Sequence, residues 1–243
     1  MYNKQRGFTL VEIAIVLVII GLLLGGILKG QELITSARVR NLADQNSGLQ
    51  AAYYGFIDRY RQVPGDMLGS GARGVCNVIG SGAPGCSGGT TTIAGNGNGR
   101  IDNDDWGESS ALWAHLAASG FIQGAYTGGA SDDATYVAQT VAPINAFSGR
   151  LLLTRSKDYV GIGGGANYRL VLFIGQQVPV NVMRELDLKI DDGFPDTGVL
   201  RNTTTSATMA PAQTTAACTT TASGTTIWDI DTNEQNCTAA YLY

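Results

Sequence analysis

The chain has 243 residues, with 16 Lys and Arg against 20 Asp and Glu and a sequence pI near 4.9. This mildly acidic balance lacks the broad basic face that tight nucleic-acid binding needs, so no nucleic-acid partner is predicted. A single histidine, His115, leaves little material for histidine-based metal sites or acid/base triads, and the chain is not expected to be an enzyme.

The first predicted element is an apolar helix. Residues 8 to 28 carry one charge, Glu12, and at about 1.5 Å per residue a helix of this length spans the roughly 30 Å hydrocarbon layer. Lys4 and Arg6 precede it, which keeps the start of the chain in the cytoplasm and directs everything after Lys29 outward. No small-residue site for ordinary signal-peptide removal follows, but Gly7 marks the boundary between the basic and apolar parts.

The run Lys4-Gln5-Arg6-Gly7-Phe8-Thr9-Leu10-Val11-Glu12 with its apolar continuation resembles the class III leader and N-terminal helix of type IV pilins and type II secretion pseudopilins. The resemblance covers about the first 60 residues. It implies cleavage after Gly7 by a membrane prepilin peptidase, N-methylation of the new amino terminus on Phe8, and a structural role for Glu12.

Glu12 also has a physical interpretation that is independent of the resemblance. A carboxylate inside a membrane segment costs about 2.5 to 3.5 kcal/mol and therefore needs a partner. Cutting after Gly7 creates one, the α-amino cation of Phe8, and in a filament the Glu12 of one subunit can meet the Phe8 amine of its neighbour. The alternative is a signal anchor in which Glu12 only reaches toward the headgroups.

An amphipathic pattern continues this helix to about Gln62, with its apolar face toward a sheet, until Pro64 ends it. The predicted organisation is a cleaved leader, residues 1–7; a long helix, residues 8–62, with residues 8–28 as the membrane segment and filament core; and a globular head, residues 63–243.

The four cysteines indicate disulfides if the head lies outside the cytoplasm. Three connectivities are possible. We favour Cys76 with Cys86 and Cys218 with Cys237, because each pair closes a short loop within one irregular segment.

The segment from Asn96 to Asp105 has the rhythm of a calcium loop, with alternating oxygen side chains and a glycine for the turn. Ala94 occupies the first ligand position, where an acid is expected. The candidate ligands are Asn96, Asn98, the carbonyl of Arg100, Asp102 and Asp105. A plain turn rich in Asn and Asp is the competing interpretation.

A second acidic segment contains Asp187, Asp191 and Asp192, and it resembles a D-x-K-x-D-D-G stretch of pilin-like proteins and their calcium-stabilised pseudopilin relatives. Clustered carboxylates repel one another unless a cation or turn donors compensate them. Metal binding and capping of a turn are both open. A glycosidase pair of carboxylates is the disfavoured third interpretation.

In the head, periodicity predicts helices over residues 106–121 and from Pro179 to Leu188. Strands are predicted over residues 150–154, 168–174, 199–201 and 225–230. The stretches 68–100 and 202–226 are rich in Gly and in Thr respectively, and both are predicted to be surface loops that bury little.

The predicted fold is α+β and pilin-like: a long N-terminal helix packed on an antiparallel sheet with disulfide-clipped loops. The predicted function is a structural subunit of an extracellular type IV pilus-like filament. Its partners are copies of itself, the inner membrane before assembly, the prepilin peptidase and the assembly machinery. No cofactor is required, and calcium is the one candidate. A pseudopilin of a type II secretion system is the first alternative, and a membrane-anchored periplasmic binding protein is the second.

Overall fold

The computed structural model describes residues 9–67, 95–138, 140–161 and 166–243. The chain divides into two compact units, Met1–Arg40 and Asn41–Tyr243. Helix α1, Leu10–Tyr60, runs through both. The helix ends at Tyr60, two residues before the predicted end at Gln62. Arg61 follows with a left-handed φ of 57°, and Pro64 lies three residues further on.

Three shorter helices belong to the second unit: α2, Trp106–Ala118; α3, Asp133–Ala138; and α4, Val180–Ile190. Asp105 caps α2 by accepting a hydrogen bond from the Glu108 N–H, and Gly120 follows the helix with a φ of 80°. Pro179 stands at the N-cap of α4. The α2 and α4 predictions are confirmed to within a few residues, whereas α3 was not predicted.

The main sheet has four antiparallel strands in the order β1-β2-β6-β3. They are β1, Leu152–Ser156; β2, Arg169–Phe173; β3, Leu200–Asn202; and β6, Ala239–Leu242. A separate hairpin joins β4, Thr219–Ala222, to β5, Thr225–Trp228. The predicted α+β architecture, with a long N-terminal helix and an antiparallel sheet, is confirmed.

The core of the second unit lies between the C-terminal part of α1, helix α2 and the main sheet. Its largest fully buried side chains are Trp113, Tyr136, Phe56, Phe173, Met67 and Ile101. The indole of Trp113 donates to the hydroxyl of Tyr136 at 2.8 Å, and that hydroxyl donates to the Leu151 carbonyl at 2.8 Å. The polar atoms of these two buried side chains are therefore satisfied. His115 is fully buried, and its Nδ1 accepts the Gly65 N–H at 2.9 Å.

The Thr-rich stretch from residue 202 to 226 is not the loop of low burial that its composition predicts. It contains two short 3₁₀ helices, Ala210–Ala212 and Ala216–Cys218, and the hairpin strand β4. Ala207, Met209 and Ala212 belong to the hydrophobic core. The prediction was wrong because a few small and apolar residues, placed at the right positions, bury well even in a polar stretch.

The Cys218–Cys237 disulfide is present, as predicted, and joins the segment before β4 to the segment before β6. Cys76 and Cys86 lie outside the described residues, as does the Gly-rich stretch 68–94.

Candidate functional site

The N-terminal part of α1 exposes an unusually apolar surface. An 18-residue window of the helix has a mean hydropathy of 2.8, and none of it is buried within the described chain. Its exposed large apolar residues are Leu10, Val11, Ile13, Ile15, Val16, Leu17, Val18, Ile19, Ile20, Leu22, Leu23, Leu24, Ile27 and Leu28. A surface of this size is stable only when lipid or other protein covers it.

Four glycines lie in this apolar stretch at positions where the described chain would also accommodate a larger side chain. A Cβ atom added at Gly21, Gly25, Gly26 or Gly30 would meet no atom within 4 Å among the described residues. Glycine in a helix interior costs about 1 kcal/mol relative to alanine. No close contact among the described residues requires glycine at these four positions. The small-residue spacing is the kind that lets a second helix approach closely in lipid.

Gly25→Leu tests this use of glycine. The added side chain should leave the stability of the second unit unchanged but reduce helix association, and the yield of chemically cross-linked oligomers in membranes should fall several-fold. Gly48→Leu is the matched control, because Gly48 lies in the same helix, is exposed and has equal free space. Equal yields from both variants would contradict the packing role of Gly25.

Glu12 lies in the first turn of α1 and pairs with Thr9. The Glu12 carboxylate accepts hydrogen bonds from the Thr9 N–H and hydroxyl, both at 2.8 Å, while the Glu12 N–H donates to the Thr9 hydroxyl at 3.3 Å. This reciprocal arrangement is a capping box. Sequence reasoning missed Thr9, although the Thr-x-x-Glu spacing carried the signal. Gly7 and Phe8 lie outside the described residues.

The predicted calcium loop is organised by two acids that the sequence analysis did not include. Asp66, buried and following α1, accepts the N–H groups of Gly97 at 2.6 Å, Gly99 at 2.6 Å and Arg100 at 3.1 Å. Glu108, on α2, accepts the N–H groups of Asn96 at 3.2 Å and Asp102 at 2.6 Å.

The candidate ligands themselves are partly brought together. The carboxylate of Asp102 accepts the side-chain amides of Asn96 at 2.5 Å and Asn98 at 2.7 Å. Asp105 points instead to the start of α2 as its cap. Burial, with smaller contributions from the charges of Asp66 and Asp102, raises the pKa of Glu108 to about 7. The hydrogen bonds from two backbone N–H groups oppose this rise. Calcium binding at this loop stays a prediction.

Asp66→Asn should destabilise the second unit by about 2 kcal/mol, because an amide NH₂ would face backbone N–H donors and leave them unpaired. Urea unfolding of the full chain in detergent, followed by tryptophan fluorescence, measures the loss. Asp58→Asn is the control, since the Asp58 side chain is 80% exposed and forms an exposed ion pair with Arg61. A loss no greater than that of the control would mean that Asp66 does not hold the loop.

The second acidic segment forms a compact cluster. Asp187 lies in α4, Asp191 is the C-cap of that helix, and Asp192 follows. One carboxylate oxygen from each lies within 4.8 Å of the other two. Burial, with smaller contributions from the charges of Asp192 and Asp191, raises the pKa of Asp187 to about 6. Hydrogen bonds from the Trp228 indole and the Gly193 backbone N–H oppose this rise.

Comparison with known proteins identifies a known family motif at the N-terminus. A family model described as the prokaryotic N-terminal methylation motif matches residues 2–28. No curated protein and no solved structure shows significant similarity to the chain. The match contains Gly7, Phe8 and Glu12, and it confirms the resemblance drawn from the leader and the apolar helix.

Proposed function

We propose that this chain, whose N-terminus is the leader and methylation motif of type IV pilins and pseudopilins, is a structural subunit of an extracellular type IV pilus. One observation supports the proposal most strongly. The matched motif includes the start of helix α1, and the apolar surface of that helix is not buried by any other described part of the chain. Such a surface requires lipid before assembly and other copies of the helix afterwards.

In this proposal, attraction between opposite charges on neighbouring subunits drives the assembly step. Removal of residues 1–7 by the prepilin peptidase frees the α-amine of Phe8, and methylation leaves its positive charge in place. In a filament the amine of one subunit meets the Glu12 carboxylate of its neighbour, and because both are desolvated, the pair fixes the axial register between subunits.

A pilus is preferred to a pseudopilus because of the head. The hairpin of β4 and β5 presents an exposed run from Thr220 to Thr225, a polar surface suited to display outside the cell. The protein is accordingly placed in the inner membrane as a precursor and in the extracellular filament once mature, and adhesion is one role open to such a surface. The role is structural and not enzymatic.

Localisation separates the candidates. Immunogold labelling of shed filaments should detect the head along the filament, and deletion of the gene should remove those filaments. Retention in the periplasm together with a loss of protein secretion on deletion would favour the pseudopilin. A chain spread evenly over the membrane, with neither filaments nor secretion affected, would favour the anchored binding protein.

A further inference from the structure

The hairpin of β4 and β5 has an outer edge whose backbone groups point away from the hairpin. The Asp229 N–H donates to the Cys218 carbonyl at 3.0 Å, so these two residues form a hydrogen-bonded pair just before the ladder begins. Hydrogen-bonded and non-hydrogen-bonded pairs alternate along an antiparallel ladder. Thr220 therefore bonds to β5, whereas Thr219 and Thr221 direct their N–H and C=O groups to the outer edge of β4.

The described residues leave these outward groups unbound. Thr221 is exposed, and its backbone makes no hydrogen bond within the described part of the chain. The same holds for the backbone of Thr219, whose hydroxyl accepts the Asn202 side-chain amide at 3.5 Å. On the other side of the hairpin, β5 packs against α4, and its Trp228 donates to Asp187 of that helix. Among the described residues, β4 is therefore an open edge strand.

The β4 edge carries none of the features that keep edge strands from pairing. Natural edges are protected by charged side chains, proline or a bulge. Strand β4 reads Thr-Thr-Thr-Ala, and its pairing with β5 is regular from Thr219 to Ala222. Threonine is β-branched and favours strands, so the edge is preorganised to accept a further strand.

The charge distribution favours a second copy of this chain as the partner. The chain has a formal net charge of −4 at pH 7, so two copies repel each other on average. No Asp, Glu, Lys, Arg or His occurs from Asn202 to Trp228, the stretch that contains β4 and most of the hairpin. This edge offers no ion pair to a charged partner, and it is where two copies approach each other with little repulsion.

The β4 edge also matches itself in register. We propose that β4 pairs antiparallel with β4 of a second copy, about a two-fold axis at Thr220. Thr219 of one copy then lies opposite Thr221 of the other, and because both direct their backbone groups outward, each such pair exchanges both of its hydrogen bonds. Thr220 faces its own counterpart in the non-hydrogen-bonded pair between them. Threonine pairs of this kind add cross-strand contacts.

The contact goes beyond the proposed filament and does not depend on it. It uses β4 alone, whereas filament assembly uses the apolar part of α1. An edge of four residues buries far less than the roughly 1,200 Å² of a stable interface, so the pairing is weak between dilute chains. It becomes effective where many copies are held close together in one membrane or on neighbouring filaments.

Disulfide trapping in lipid vesicles tests the pairing. The full chain carrying Thr220→Cys, reconstituted at high density and oxidised with copper phenanthroline, should give a disulfide-linked dimer on a non-reducing gel. Opposite residues of a non-hydrogen-bonded pair have Cα atoms about 4.5 Å apart, which a disulfide spans. Ser223→Cys is the control, since Ser223 is also exposed but would lie about 20 Å from its counterpart. It should give about fivefold less dimer, and the unmodified chain gives the background.

A proline variant separates strand pairing from collision. Thr221→Pro removes an outward N–H, and proline is tolerated on a strand edge that faces solvent, so the hairpin and the melting temperature should be retained. Added to Thr220→Cys, it should lower the dimer yield about fivefold, whereas Thr221→Val, which keeps the N–H, should not. The proposal would be overturned by equal dimer yields from Thr220→Cys and Ser223→Cys, by the absence of a dimer, or by a yield that Thr221→Pro leaves unchanged.

Discussion

Replacing Glu12 by Gln should abolish filaments while the chain still inserts in the membrane. Gln retains the size of the side chain and can still close the capping box with Thr9, so the start of α1 is preserved. What is lost is the charge that, in the proposed assembly, compensates the Phe8 amine. A buried cation without its partner costs about 3 to 5 kcal/mol, which at each added subunit is a factor of more than a hundred.

Thr9→Val is the matched variant, because it removes the hydroxyl of the capping box and keeps the Glu12 charge. Losing a cap costs about 1 kcal/mol of helix stability, which is small beside the lost ion pair. Sheared surface filaments, quantified against membrane-inserted protein, should be near normal for Thr9→Val and absent for Glu12→Gln. The reverse order would assign Glu12 to capping alone and remove its role in assembly.

The second large effect is expected from the double variant Cys218→Ala/Cys237→Ala, which should lower the free energy of unfolding by about 3 kcal/mol. The two cysteines are 19 residues apart, and in the chain-entropy model a loop of about this length gives that value. The bond links the segment before the β4–β5 hairpin to Cys237, which also pairs with Val178 across an antiparallel bridge. Its loss frees the entry to β6, the strand between β2 and β3.

Urea unfolding followed by the fluorescence of the buried Trp113 and Trp228 measures this loss. Dithiothreitol treatment of the variant Cys76→Ala/Cys86→Ala is the control, since reduction then breaks only the Cys218–Cys237 bond and empties no space around these two residues. Both samples should unfold at similarly reduced urea concentrations. Stability unchanged in both would show that the disulfide does not hold the sheet together.

Elements with strong local patterns could be predicted, and elements defined by tertiary contact could not. The apolar and amphipathic parts of α1, and the β-branched and large apolar runs of β1 and β2, carry their signals in the sequence. Strand β6 reads Ala-Ala-Tyr-Leu, which has no strong alternation, and its place between two other strands becomes clear only in three dimensions. The buried part of the Thr-rich stretch was hidden for the same reason.

The candidate sites show the same division. Glu12 could be found because a charge in an apolar segment is conspicuous in sequence. Asp66 could not be connected with Gly97 and Gly99, since 31 and 33 residues separate them and Asp66 follows a different helix. The Asp187 cluster was visible as a spacing of acids. The hydrogen bond from Trp228 to Asp187, across 41 residues of sequence, required the fold.

The central claim, that the chain matures by cleavage and joins a filament through its new amino terminus, is tested most directly by intact-mass measurement of the protein in cell-surface fractions. The account predicts the mass of residues 8–243 with one added methyl group, whose fragment spectrum places the methyl on the Phe8 nitrogen. A mass that retains residues 1–7, with Met1 or its neighbours at the start, would contradict it.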